Sequence, residues 1–431
     1  MFIYLDIDNI CGIDNKISIN FLAEPRKKTK KETVVEIKSG KNINKLTGIL
    51  GCNASGKSSI LKAICAIDYF LSYNARTEKE AQDNKRYIRK IEDILPKPNI
   101  NRGNEYSTIE LSSFIENCEI PGVYTYKLQY SLDIEKEIKV IEKLYYKKDF
   151  NSKDKEIIHI EKKKLESEIG IKYNYKESFI EEIKKDYYDE KIFINFMDKY
   201  SYYKCFYEYI TKKLMYLEDD VNDTSLQHYM IREWIEQDKE TIDDVVKLID
   251  KTIERFELEK VEGTNRKIIS YYNLQGEKLD FLDMSNGTRK FLTYIFLLLV
   301  TLNSNGIILI DEIENSLHMD LVKFILKLIT LKISNSQLIF TTNNQYTLDE
   351  DIMRIDQMYY LDKNEKDNII LKRFSESLRE EKETRTIRSD ETIRLKFKEK
   401  TICRGFQPSF EKINNFVESM EDKKSLNKYK L

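Results

Sequence analysis

The chain has 431 residues, enough to bury a sizeable core in one elaborated domain or two. Lys and Arg total 72 against 74 Asp and Glu, so a formal net charge of −2 leaves no global field to gather nucleic acid. Six cysteines with no CxxC pair and three histidines exclude the common zinc spacings and a disulfide scaffold, and fit a reducing cytosol.

From the amino terminus, "MFIYLDIDN" and "KISINFL" alternate apolar and polar residues and predict paired strands of a small sheet. The basic run "RKKTKK" at 26–31 reads as a solvated loop, with phosphate-backbone contact as the alternative. "KLTGIL" then predicts a strand, followed by "GCNASGKSS" at 51–59 and a helical period from Ser58 onward. Gly51, Gly56, Lys57 and Ser58 fill the pattern G-x-x-x-x-G-K-[ST] between strand and helix, which is the context a phosphate-binding loop needs. Glycine lets the backbone curl its N–H groups inward around an anion. Lys57 is placed to reach the β and γ phosphates of a nucleoside triphosphate, and the Ser58 hydroxyl to complete a Mg²⁺ shell. The candidate phosphate contacts are Gly51, Asn53, Ala54, Ser55, Gly56, Lys57, Ser58 and Ser59.

"GVYTYKLQYSLD" at 122–133 and "KEIKVIEKLYYKK" at 136–148 predict a hairpin that continues the amino-terminal sheet. Residues 151–262 are rich in Lys, Glu and Tyr. "ESFIEEIKKDYY" and "TIDDVVKLIDKTIERF" carry a helical period, so the span is expected to be a helical insert serving as lid, dimerisation element or partner dock. "SNG" at 285–287 precedes the apolar run "FLTYIFLLLVTL"; by itself it is an N-cap and turn. That run has 12 residues, too short to span a bilayer that needs ~20, and no signal peptide leads the chain, so a buried helix in a soluble cytoplasmic protein is expected.

"GIILIDEIENSLH" at 306–318 reads as a strand buried on both faces with two acids at its carboxyl end, where open α/β sheets hold ligands. Asp311 is placed to hold Mg²⁺, and Glu312 to act as general base on an attacking water.

About 250 residues separate the two phosphate-site motifs, and the order of motifs resembles the ABC-type ATPase heads of the SMC, RecF and OLD group. "GCNASGKSS" resembles their Walker A loop, and "LDMSNGTRKFL" their signature, with Ser285 and Gly287 at its fixed positions. "DEIENSLHMDL" resembles Walker B and the D-loop, with Asn315 and His318 in the latter, and "QLIFTTNNQYTLD" the switch strand. "RIDQMYYLDKN" is similar to the next strand in AAA-type ATPases of bacterial anti-phage and abortive-infection systems.

The resemblance implies an α/β P-loop head with a mixed central sheet, a flanking antiparallel sheet and a helical insert. Its halves would be 1–150 and 263–375, with a charged segment at 376–431. It also implies ATP and Mg²⁺, and assembly of at least two copies, with Ser285 and Gly287 of one copy closing on ATP held by another. His318 either faces that partner copy or is an ordinary surface histidine. The switch position, usually histidine, is Asn343, which donates a hydrogen bond but carries no charge, so slow hydrolysis is expected.

Three functions follow from the resemblance. One is an ATPase whose ATP-dependent assembly senses a trigger and controls a partner effector, a nuclease or toxin, in anti-phage defence. Another is a RecF-like DNA-repair ATPase that binds duplex DNA. The last is a nearly inactive ATP-held scaffold that sequesters a toxin. The chain beyond 375 is too short to house a TOPRIM nuclease of the OLD kind.

Overall fold

The computed structural model describes residues 1–10, 12–13, 15–25, 31–37, 40–75, 106–131, 139–164, 168–173, 201–217, 224–260, 267–330, 334–347, 352–363 and 368–377. The chain opens with β1 (Phe2–Asp8) and β2 (Ile17–Asn20), paired antiparallel as their alternation predicts. A two-stranded ribbon follows, β3 (Val34–Glu36) with β4 (Asn42–Asn44). Next come β5 (Leu46–Leu50) and the helix α1 (Lys57–Ala75).

The expected hairpin is present as β7 (Gly122–Ser131) and β8 (Lys139–Lys147), after β6 (Ser107–Ile115). With β9 (Lys155–Lys164) and β10 (Glu168–Tyr173) these strands form a seven-stranded antiparallel sheet in the order β10-β9-β8-β7-β6-β1-β2. Along β6 burial alternates residue by residue, so one face of this sheet belongs to the core and the other is wetter.

The second half begins with α2 (Ser201–Lys213), β11 (Leu214–Leu217), α3 (Thr224–Gln237) and α4 (Lys239–Ile249). A three-stranded sheet of β12 (Ile253–Lys260), β13 (Lys267–Asn273) and β14 (Lys278–Asp280) leads into α5 (Asn286–Ser304). Then come β15 (Ile307–Ile310), α6 (Met319–Ile329), β16 (Gln337–Thr342), β17 (Met358–Lys363) and β18 (Ile369–Arg373).

The central sheet runs β11-β15-β16-β5-β17-β18, parallel throughout except for the β17–β18 pair. Its strands are apolar on both faces, because each face meets a core of its own. Ile49, Ile307, Leu309, Ile339 and Leu361 join the cluster that includes α1 and the antiparallel sheet. Leu46, Leu50, Ile308, Ile310, Leu338 and Phe340 join the cluster formed with α3, α4, α5 and α6. Helix α1 packs between the two sheets, which is why Ile60, Leu61, Ile64, Ile67, Phe70 and Leu71 are buried while only a narrow strip with Lys62 and Tyr69 stays exposed. Gln337 joins the sheets at one end of β16: its Oε1 accepts from the Phe2 amide at 2.8 Å, and its Nε2 donates to the Asn44 carbonyl at 3.1 Å.

The span 151–262 is not the helical insert its composition suggests. Residues 155–164 and 168–173 are strands that extend the antiparallel sheet, and the boundary at 150 falls in the turn of the β8–β9 hairpin. The open edge of β8 supplies seven residues, Val140 to Tyr146, as backbone partners, and pairing to it overrides a weak helical period. Residues 214–217 add β11 to the central sheet beside β15, and β12 pairs with β13 beyond 262, so the span is woven into both halves of the head. The helical expectation holds at α2, α3 and α4, but α4 stops at Ile249. Asp250 Oδ1 there accepts from the Thr252 amide at 3.0 Å, an Asx-type turn that releases "TIERF" into β12. "ESFIEEIKKDYY", most of the basic run at 26–31 and the tail after 377 lie outside the described residues. Among the described residues, no helix is long and apolar enough to cross a membrane.

Candidate functional site

Three adjacent parallel strands deliver the sequence motifs to one edge of the central sheet. β16 lies between β5 and β15, with Thr342 level with Leu50 and Phe340 level with Ile310. The loop after Leu50, the acids after Ile310 and the residues after Thr342 therefore leave the sheet side by side at its carboxyl edge, where parallel sheets place ligands.

The first loop is tied to its neighbour by the Gly51 amide, which donates to the Thr342 carbonyl at 3.1 Å. It then curls through two left-handed residues, Ala54 (φ 62°) and Gly56 (φ 93°). A side chain on Gly51 would collide with Ser55 Oγ, so this glycine is required by close approach. Lys57 is buried, and its ammonium donates to the carbonyls of Gly51 and Cys52, both at 2.9 Å. Ser55 Oγ is buried with no hydrogen-bond partner among the described residues. Asn53 and Ala54 are exposed, and Ser58 and Ser59 stand half-buried on the first turn of α1. A cationic group folded over its own loop, an orphaned hydroxyl and a 19-residue helix starting at the loop form a cradle suited to an anion.

Asp311, the first acid, is buried, and its amide donates to the Leu217 carbonyl at 3.1 Å, so β11 helps to fix it. Thr341 then serves both acids. Its hydroxyl donates to Asp311 Oδ1 and accepts from the Glu312 amide at 2.9 Å. Glu312 takes a left-handed backbone (φ 46°), as does Ser316 (φ 61°), so 312–316 forms a tight turn in which Asn315 N–H donates to the Glu312 carbonyl at 2.8 Å. Inside that turn Glu314 Oε1 accepts from the amide of Asn343 at 2.7 Å, joining the Walker B turn to the switch position. The Asn343 residue is exposed. His318 is exposed too, and caps α6 by accepting from the Asp320 amide at 3.4 Å.

Ser285 is the N-cap of α5, with Oγ accepting from the Thr288 amide at 3.1 Å. Gly287 packs on the Walker B turn; a Cβ there would stand 2.8 Å from the Ser316 carbonyl oxygen. Arg289 braces the approach to this helix by donating to the carbonyls of Leu282 at 2.9 Å and Met284 at 2.5 Å and to Gln227 Oε1 at 3.1 Å. Gln227, on α3, in turn reaches Asn286 Oδ1 at 3.4 Å. His228, the next residue, sets its ring edge-on to Phe281 at 5.5 Å, and burial, followed by the charge of Arg232, holds its pKa below the ordinary value.

Sequence reasoning overlooked Thr341, Glu314, Gln227 and Arg289. The signal for Thr341 was a hydroxyl in an otherwise apolar strand beside two acids, and for Glu314 a third carboxylate within the turn. Nothing local pointed to Gln227.

The family described as "AAA domain, putative AbiEii toxin, Type IV TA system" matches residues 46–349, from the strand before the phosphate loop to the end of the switch segment. The chain belongs to this family. Structural similarity extends to the SMC head bound to the C-winged helix domain of ScpA, at 15% identity and TM-score 0.44, covering 88% of this chain and 99% of that one. The SMC head domain from Thermotoga maritima is 14% identical at TM-score 0.38, covering 86% and 98% respectively. The Smc head with an extended coiled coil, bound to the C-terminal domain of ScpA derived from Pyrococcus furiosus, is 13% identical at TM-score 0.37, covering 89% and 99%. No curated protein matches the chain. The family is one of nucleotide-binding ATPases, and its motif-bearing segments are those gathered at the carboxyl edge of the central sheet.

Proposed function

We propose that the protein binds and hydrolyses ATP, and that ATP drives assembly of two or more copies which sense a trigger and control a partner effector, a toxin or nuclease, in anti-phage defence. The observation that carries the reading is the convergence of the Lys57 loop, the Asp311–Glu312 pair and the Asn343 position on one sheet edge.

The residues fit the nucleotide. Backbone amides of 53–59 and the start of α1 would take the phosphates. Ser55 Oγ would gain a partner, and Lys57 would exchange two neutral carbonyls for phosphate oxygens, a charge-assisted and stronger bond. Ser58 and Asp311 would hold Mg²⁺, which on binding neutralises charge on the phosphoryl oxygens. Thr341 keeps Asp311 aimed and, through the Glu312 amide, sets the carboxylate that would orient and deprotonate the attacking water. Ser285 uses a lone pair as N-cap and shares a hydrogen bond with Thr288 Oγ1 at 2.8 Å; with Thr288 as donor in that bond, the Ser285 O–H would turn to the phosphate of a second copy, beside the close-packed Gly287. Asn343 offers no positive charge there, which favours slow turnover. Asn315 and His318 lie on the Walker B turn and on the following helix cap, where they would face the proposed copy-to-copy contact.

Particle mass measured without nucleotide, with ADP and with ATP·Mg²⁺, alongside phosphate release, tests this reading. Lys57→Ala is expected to weaken ATP binding at least tenfold; wild-type affinity in that variant would overturn the nucleotide assignment. Glu312→Gln is expected to bind ATP normally and hold the assembly, and disassembly at the wild-type rate would remove Glu312 from its role. ATP-driven assembly without phosphate release would favour a scaffold. A salt-dependent mobility shift with duplex DNA would favour the DNA-repair alternative.

A further inference from the structure

The turn at 312–316 has more contacts than a D-loop that only supplies one base. Glu314 Oε1 holds the backbone amide of Asn343 at 2.7 Å, across 29 residues of sequence. Its other oxygen, Oε2, is buried and has no hydrogen-bond partner among the described residues. Burying an unpaired carboxylate oxygen is unfavourable, so a link needed only for folding would be better made by a neutral acceptor. The same turn is strained at both ends, with Glu312 and Ser316 left-handed, and it touches Gly287 through the Ser316 carbonyl. Backbone strain that persists this way is over-determined by its surroundings and collects at functional sites.

We infer that Glu314 is a positioning residue. It fixes the switch position against the Walker B turn, so that Asn343 and Glu312 keep one geometry relative to each other. The inference deepens the ATPase reading above and rests on it for its kinetic consequence. Three hydrogen bonds join the switch strand to this turn: Thr341 Oγ1 accepts from the Glu312 amide, the Thr341 carbonyl accepts from the Ile313 amide at 3.1 Å, and the Asn343 amide donates to Glu314. The first two are made at Thr341, so the Glu314 bond alone ties the strand to the turn beyond Thr342 and fixes the direction in which Asn343 leaves it. A displacement of about 1 Å at a reacting group costs about 10²-fold in rate, which sets the scale expected when the Glu314 bond is lost.

The test combines hydrogen exchange over residues 337–347 in the nucleotide-free protein with nucleotide affinity and phosphate release at saturating ATP. In Glu314→Ala the Asn343 amide is expected to exchange several-fold faster, with kcat down ~10- to 10²-fold and ATP affinity within twofold of wild type. Glu314→Gln keeps a carbonyl oxygen for the amide and is expected to recover both protection and most of kcat. Glu314→Asp, which withdraws the oxygen by one methylene, replaces the alanine variant if that one fails to fold. Unchanged exchange at Asn343 in the alanine or aspartate variant would overturn the inference. So would restored protection with kcat still at the alanine level in Glu314→Gln, because the carboxylate would then act directly. A wild-type protein that releases no phosphate would sink the ATPase reading instead, while the exchange arm would still decide the link.

Discussion

Thr341→Val is the most informative substitution in the core of the site, because it changes one hydroxyl and almost no volume. The hydroxyl donates to the carboxylate of Asp311, which is 6% exposed, and accepts from the amide of Glu312. Losing a hydrogen bond to a buried charge costs about 1.5–3 kcal/mol, and stranding an amide adds about 1 kcal/mol, giving about 2.5–4 kcal/mol in all. The chain has one tryptophan, Trp234, buried and stacked on Phe296 at 5.8 Å in the core cluster that also contains Ile310, so its fluorescence reports the half of the molecule that holds β15. With a urea slope of about 3 kcal/mol/M, the midpoint of that transition should fall by about 1 M. If Asp311 holds Mg²⁺ as proposed, the Mg²⁺ concentration needed for the proposed ATP-dependent assembly should rise as well, because Asp311 loses its orienting donor. A midpoint within about 0.2 M of wild type would show that the hydroxyl does not hold these acids.

Two further perturbations read other parts of the structure. Gly287→Ala places a methyl 2.8 Å from the Ser316 carbonyl oxygen, so the Walker B turn must shift; ATP should still bind the single chain, but the ATP-dependent gain in particle mass should be lost, and wild-type assembly would refute the packing argument. His228 has its pKa lowered by burial beside Phe281, so the unfolded chain binds the proton more readily than the folded one. Its contribution is therefore nil above the unfolded value near 6.5 and becomes destabilising as pH falls below it. Replacing His228 by Gln should flatten the stability profile between about pH 7 and pH 5, and an unchanged acid limb would assign that sensitivity elsewhere.

The central sheet was readable because each of its motif strands is a short apolar run joined to a turn whose residue types are dictated locally. "KLTGIL" before Gly51, "IILI" before Asp311 and "QLIFTT" before Asn343 needed no knowledge of their neighbours to be placed. The antiparallel sheet was readable at β1, β2, β7 and β8, where alternation matched one buried face. It was not readable at β9 and β10. A Lys- and Glu-rich strand at the far side of a sheet exists because a neighbour offers backbone partners, and periodicity carries no record of that. β11 is harder still, four residues that become a strand because β15 lies beside them. The same limit applies within the site. Lys57, Asp311 and Glu312 announce themselves through chemistry at fixed spacing, whereas Thr341 and Glu314 act across 29 or 30 residues of sequence, and Gln227 meets Arg289 across 62.

The Gly287–Ser316 contact has a mechanical consequence. α5 begins at Asn286, ends at the left-handed Asn305 and passes through Gly306 directly into β15, which returns to the turn that touches Gly287. Helix, strand and turn close a loop, with a helix of about 28 Å along one side and close packing of Gly287 on the Ser316 carbonyl where its ends meet. If one copy presents its helix start to a neighbour's nucleotide, as proposed, a displacement received there would bear directly on the turn that follows its own pair of acids.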